Sequence, residues 1–135
     1  MLLRHGILVI LPLALVACER GVAAGPPASE VAGIYTMTTV SGRGPVTGSF
    51  TLTPSGDAVR RVRYRQSDGA LSAEHVARGS FLVRADGSVD LRLREDDGRS
   101  RYEWRPLARL NAGVFVMRHP DPADGPDIIE TYERR

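Results

Sequence analysis

From Val31 to the end of the chain, short runs of β-branched, aromatic and alternating residues are cut off one after another by Gly, Asp-Gly or Asn-Ala-Gly. An amphipathic helix needs apolar residues three and four apart over ten or more positions, and none of these runs has that spacing. A strand needs only alternation between turn signals, which the chain supplies repeatedly. Thr47 to Thr53 places Phe50 and Leu52 on one face and Thr51 and Thr53 on the other. Pro54-Ser55-Gly56-Asp57 then turns the chain into Ala58 to Gln66, which ends at Ser67-Asp68-Gly69. Val76 to Arg84 and Ser88 to Arg94 flank Asp86-Gly87, a strong hairpin signal. In the second of these, Val89, Leu91 and Leu93 face one way while Asp90, Arg92 and Arg94 face the other. Asp97-Gly98 leads to Arg101 to Leu107, Asn111-Ala112-Gly113 leads to Val114 to Arg118, and Asp127 to Tyr132 closes the series. With Val31 to Val40 at the start, these runs predict about eight strands and no helix.

The aromatic residues fall nearly one to a strand: Tyr35, Phe50, Tyr64, Phe81, Tyr102 with Trp104, Phe115 and Tyr132. That spread suits one shared interior. Sequential antiparallel strands joined by short turns predict an all-β domain, a single up-and-down β-barrel, with a β-sandwich as the alternative. A barrel of this size is filled by side chains or holds one small ligand. Gly48-Ser49-Phe50 followed by Gly56 is echoed by Gly79-Ser80-Phe81 followed by Gly87. Two copies are too few for a solenoid and read as equivalent hairpins of one sheet.

The start of the chain is different in kind. Met1-Leu2-Leu3-Arg4-His5 carries a positive charge, Gly6 to Val16 is apolar, and Leu15-Val16-Ala17-Cys18 follows. The apolar run is short of the roughly 20 residues a spanning helix needs and has the form of an export signal. Cys18 is the only cysteine in the chain, so export would leave it as an unpaired thiol. Leu15-Val16-Ala17-Cys18 resembles the lipobox of bacterial lipoproteins. The resemblance implies cleavage before Cys18 and lipidation of Cys18, with residues 1–17 as signal peptide. Several acyl chains hold a protein durably at a bilayer, where one alone is marginal. Residue 19 is glutamate, so the aspartate that retains such lipoproteins in the inner membrane is missing, which implies an outer-membrane protein facing the periplasm. Residues 18–30, with Gly25-Pro26-Pro27-Ala28, cannot build a core and read as a flexible tether. The folded domain is then 31–135. It resembles the small lipocalin-like barrels of periplasmic lipoproteins through Gly33-Ile34-Tyr35 and the paired Gly-Ser-Phe hairpins. It is also similar in size and barrel shape to membrane-bound lysozyme inhibitors, whose inhibitory loop Ser100-Arg101-Tyr102 resembles.

Composition narrows the chemistry. All 18 basic residues are arginine, so no lysine can act as a Schiff base, general base or P-loop cation. After processing, 17 arginines face 16 acids, which argues against a nucleic-acid partner. No serine sits in Gly-x-Ser-x-Gly, and the one cysteine is committed to lipid. No catalytic residues and no cofactor are expected, and the chain is read as a non-enzyme.

The candidate contacts lie elsewhere. Arg61, Arg63 and Arg65 alternate along one strand and share a face, as do Arg92 and Arg94. The stripe is either a solvated wall, partly neutralised by Asp90 and Glu103, or a site for an anionic envelope component. His75 shares parity with Ala77, Phe81 and Val83 and is expected inside, near a rim. The loop from Arg118 to Asp127 carries His119, Asp121 and Asp124 between prolines at 120, 122 and 126. Those prolines limit how it could wrap a cation, so no metal site is expected and the loop is a candidate for contact with a periplasmic protein. The expected function is a non-enzymatic, membrane-anchored binding or envelope-support module. Two alternatives remain open: an inhibitor or immunity protein against a cell-wall hydrolase, and a carrier whose cavity is lined by Phe50, Phe81, Leu91 and Trp104.

Overall fold

The structure is a computed structural model that describes residues 23–135. Cys18 and the signal lie outside the described residues. A helical turn, α1 (Ala28–Val31), precedes nine strands: β1 (Gly33–Val40), β2 (Thr47–Leu52), β3 (Asp57–Arg63), β4 (His75–Val83), β5 (Ser88–Glu95), β6 (Glu103–Trp104), β7 (Leu107–Asn111), β8 (Val114–His119) and β9 (Ile128–Arg134). Every pairing is antiparallel. Each of β1 to β5 pairs with the next, β5 continues to β7, β7 to β8, β8 to β9, and β9 returns to β1. Eight strands therefore close a barrel with no free edge among them, and β6 is an extra strand attached to β5 alone.

Alternation sets what the barrel encloses. Tyr35, Phe50, Phe115 and Tyr132 are fully buried, with Phe50 4.7 Å from Phe115 and 5.6 Å from Tyr132 between ring centroids. Leu52, Leu91, Leu93 and Met117 complete a filled interior. Each such side chain is worth roughly 1.5–3 kcal/mol on burial. The two Gly-Ser-Phe segments lie in β2 and β4 and open the equivalent hairpins β2–β3 and β4–β5. Gly79 is needed there for closeness: a Cβ at this position would lie 1.7 Å from the Arg92 carbonyl oxygen across the ladder.

The strand expected over Arg101 to Leu107 is corrected. Pro106 offers no N–H to a ladder, so the run breaks into the two-residue β6 and a separate β7 that carries the barrel onward through Ala108 and Leu110. β3 stops at Arg63 rather than Gln66, leaving a lone bridge between Arg65 and Leu71. The absence of helix also needs amendment, because 28–31 forms one helical turn. Part of the segment expected as tether is built into the fold: Ala24 bridges Arg84, and Ala28 and Val31 pack on the core. The Tyr35 hydroxyl donates to the Val31 carbonyl at 2.7 Å, and Arg134 donates to the Glu30 and Ala32 carbonyls.

Strand direction gives the barrel two unlike ends. One carries the short turns 53–56, 84–87 and 112–113, covered by α1 and the segment before it. The other carries the long connections 41–46, 64–74, 96–106 and 120–127.

Candidate ligand pocket

Two inward positions break the apolar pattern. In β3, Arg60 lies between the inward Ala58 and Val62; in β9, Glu130 lies between the inward Ile128 and Tyr132. Both are buried, at 3% and 0% exposure. Isolated charges at such depth would be prohibitive, so each must be matched. Arg60 Nη2 and Nε donate to Glu130 Oε1 and Oε2 at 2.5 and 3.0 Å. The Tyr132 hydroxyl donates to Oε2 at 2.5 Å, and His119 Nε2 lies 2.9 Å from Oε1. The carboxylate is thus held by four contacts from three side chains.

The electrostatics follow from that geometry. Burial by itself would raise the Glu130 pKa, but hydrogen bonds from His119 and Arg60, the Arg60 charge and the Tyr132 hydroxyl reverse this and hold it down at about 2. Burial acts to lower the Arg60 pKa, yet the hydrogen bond and charge of Glu130 raise it further above its ordinary value. The Tyr132 hydroxyl is pushed up by burial and then by the adjacent carboxylate. Arg60 and Glu130 are therefore a fixed ion pair, not a proton donor and acceptor.

Above this floor the long-loop end opens into a cavity of about 490 Å³. Tyr64, Tyr102 and Trp104 form aromatic walls, Pro120 and Pro122 a rigid one, and Arg43, Glu95, Ser100 and Asp121 supply polar groups. The Arg60 guanidinium carbon lies 5.5 Å from the centroid of the Trp104 ring, and His119 meets the same ring edge-on at 5.5 Å. The chain has eight Phe, Tyr and Trp residues. Five are buried in the core, and the remaining three all line this cavity. The Trp104 indole N–H is buried with no hydrogen-bond partner among the described residues.

The sequence candidates divide on this geometry. His119 and Asp121 belong to the pocket. Asp121 is buried, its Oδ1 accepting from the Ala123 N–H at 2.9 Å, so it shapes the loop that makes the wall. Asp124 lies at the exposed tip of that loop with a φ of 57°. Arg61 and Arg63 point outward from β3 and Arg65 lies just beyond it; Arg61 pairs with Glu74 at 2.8 Å and Arg65 donates to the Gly69 carbonyl. Asp90 lies 3.6 Å from Arg84 and 3.8 Å from Arg92, while Glu103 pairs with Arg105. His75 has the interior parity expected of it but lies at the lip of the barrel, exposed, edge-on to Tyr64 at 5.1 Å. Of the four residues expected to line an internal cavity, Phe50, Phe81 and Leu91 are packed in the core and Trp104 lines the pocket. Arg60 and Glu130 were missed. The available signal was a single charge of each sign at inward parity in two otherwise alternating runs.

A second groove, of about 650 Å³, lies on the outer wall beside Leu107, Val116 and Ile129. Its flanking arginines are largely engaged: Arg105 with Glu103, Arg118 with Asp127, and Arg109 with the Asp86 carbonyl. The pocket at the mouth, with aromatic walls over a buried ionic floor, has the stronger character of a binding site. Among the described residues, no group of three His, Asp or Glu side chains is placed to hold a metal ion, and no helix is long and apolar enough to cross a membrane.

Comparison with known proteins supports the architecture. No family model and no curated protein sequence matches the chain. Among solved structures, a redesigned β-barrel is similar to it with a TM-score of 0.55 and 13% identity, over 84% of this chain and 98% of the other. At that identity the likeness concerns the fold, and the chain is an all-β, closed eight-stranded antiparallel barrel with one added strand.

Proposed function

We propose that this protein is a non-enzymatic, lipid-anchored envelope lipoprotein that faces the periplasm and binds a small ligand in the pocket at its barrel mouth. One observation carries the reading: all three aromatic residues outside the core line a single cavity at the barrel's long-loop end. Surface aromatics scattered at random would not converge on one polar-floored pocket, and such a combination is the usual construction of a small-ligand site. The ion pair beneath it stiffens the site without offering a free base or nucleophile, which supports binding rather than catalysis.

The anchor and the pocket agree in orientation. The chain reaches the barrel at the short-turn end, opposite the pocket. Ala23 follows a lipidated Cys18 by five residues, a reach of no more than about 18 Å. The short-turn end would then sit close to the bilayer, with the mouth open to the periplasm. The loop 120–127 forms a wall of the pocket, with Asp121 buried, which favours ligand binding over the inhibitor reading.

Native mass spectrometry of the full protein, extracted from its own membranes, tests the proposal. A lipid-modified chain that carries a further small molecule, lost in Trp104→Ala, is the expected result. An unmodified chain, or one that never carries such a mass, contradicts it.

A further inference from the structure

We infer that the pocket takes a neutral, flat, hydroxylated ligand, and specifically a sugar ring. The inference rests on the ligand-binding reading above and adds the chemical class. Charge is the first discriminator. Arg60 is neutralised by Glu130 beneath it, which leaves Arg43 against Glu95 and Asp121 in the lining. The lining has no excess of positive charge to hold an anion, and its surplus carboxylate is an acceptor for hydroxyl groups.

Depth is the second. An acyl chain needs an apolar channel, but the floor here is a buried ion pair, with the filled core of Phe50, Phe115 and Tyr132 below it. A ligand that enters must satisfy polar groups at the bottom and sides while pressing an apolar face on aromatic walls. A pyranose has that construction, with C–H groups on its faces and hydroxyls around its edge.

The walls match in detail. Tyr102 presents its ring with 75% exposure, a free platform for stacking. Arg43, Glu95 and Ser100 stand around it with donors and acceptors suited to paired hydroxyls. The indole N–H of Trp104, which lacks a partner among the described residues, gains an acceptor if the ring turns slightly toward a sugar oxygen. The cavity of about 490 Å³ lies within the range of small-ligand sites.

The chain has a single tryptophan, so its emission reports directly on the pocket. The test titrates the full chain bearing Cys18→Ser with an N-acetylglucosamine trisaccharide and with maltotriose, and separately with decanoate and 1-anilinonaphthalene-8-sulfonate. A saturable change with at least one saccharide is expected, with affinity falling about tenfold in Tyr102→Ala at unchanged thermal stability. Saturation by decanoate or the naphthalene probe, but by neither saccharide, overturns the sugar assignment and leaves the pocket as a ligand site. No response from Trp104 to any of the four overturns both.

Discussion

Arg60 and Glu130 lie 70 residues apart in sequence and meet inside the barrel through two parallel hydrogen bonds of 2.5 and 3.0 Å. β3 and β9 are separated in the ring by β2 and β1, so this pair spans the interior. It lies where the packed core gives way to the pocket, and it links the stability of the barrel to the shape of the site.

Removing one partner should therefore cost more than removing both. Glu130→Leu strands the Arg60 guanidinium and should destabilise the protein by about 3–5 kcal/mol in urea unfolding. Arg60→Met combined with Glu130→Leu should recover most of that loss. Additive losses would show that the two side chains act independently.

Acid should weaken the fold in a defined window. The Glu130 pKa is lowered from 4.5 to about 2 in the folded protein. The stability this provides is fully present above the unfolded pKa and is lost as pH falls toward 2, on the order of 3 kcal/mol in total. Thermal melts between pH 6 and pH 2 should show the loss in the wild type. The double Arg60→Met, Glu130→Leu variant should show a shallower decline, and equal slopes would refute the assignment.

Gly79→Ala should be severe although it adds a single methyl group. The new carbon would fall 1.7 Å from the Arg92 carbonyl oxygen, so β4 and β5 must separate. A cost of about 3 kcal/mol is expected, whereas Ser80→Ala, at an exposed neighbouring position, should be nearly neutral. Similar melting temperatures for the two variants would contradict the close approach.

Much of this architecture is legible from alternation. Phe50, Leu52, Val89, Leu91 and Leu93 all face inward as their parity requires, and Asp86-Gly87 turns the chain between β4 and β5. The failures have local causes. Pro106 splits one apparent strand, so β7 was hidden between a proline and a turn. The pocket was harder to read because its walls come from four connections distant in sequence. His119 and Asp121 stood out within an unusual loop, but Arg60 was overshadowed by the outward Arg61, Arg63 and Arg65 beside it. Which arginine faces inward depends on strand phase, and one residue of phase reverses the answer.

The proposed anchor makes its own prediction. Cys18→Ser should move the protein from the membrane fraction to the soluble periplasmic fraction without altering its melting temperature. Retention of the variant in membranes would contradict lipid attachment at Cys18.

The most direct test of the pocket is nuclear magnetic resonance mapping. The ¹⁵N-labelled full chain bearing Cys18→Ser would be titrated with the small-molecule fraction of a bacterial envelope extract. Shifts concentrated at Tyr64, Tyr102, the Trp104 indole and residues 119–121 are the predicted result. Shifts confined to the outer wall around Leu107 and Ile129, or no shifts, would contradict a ligand site at the barrel mouth.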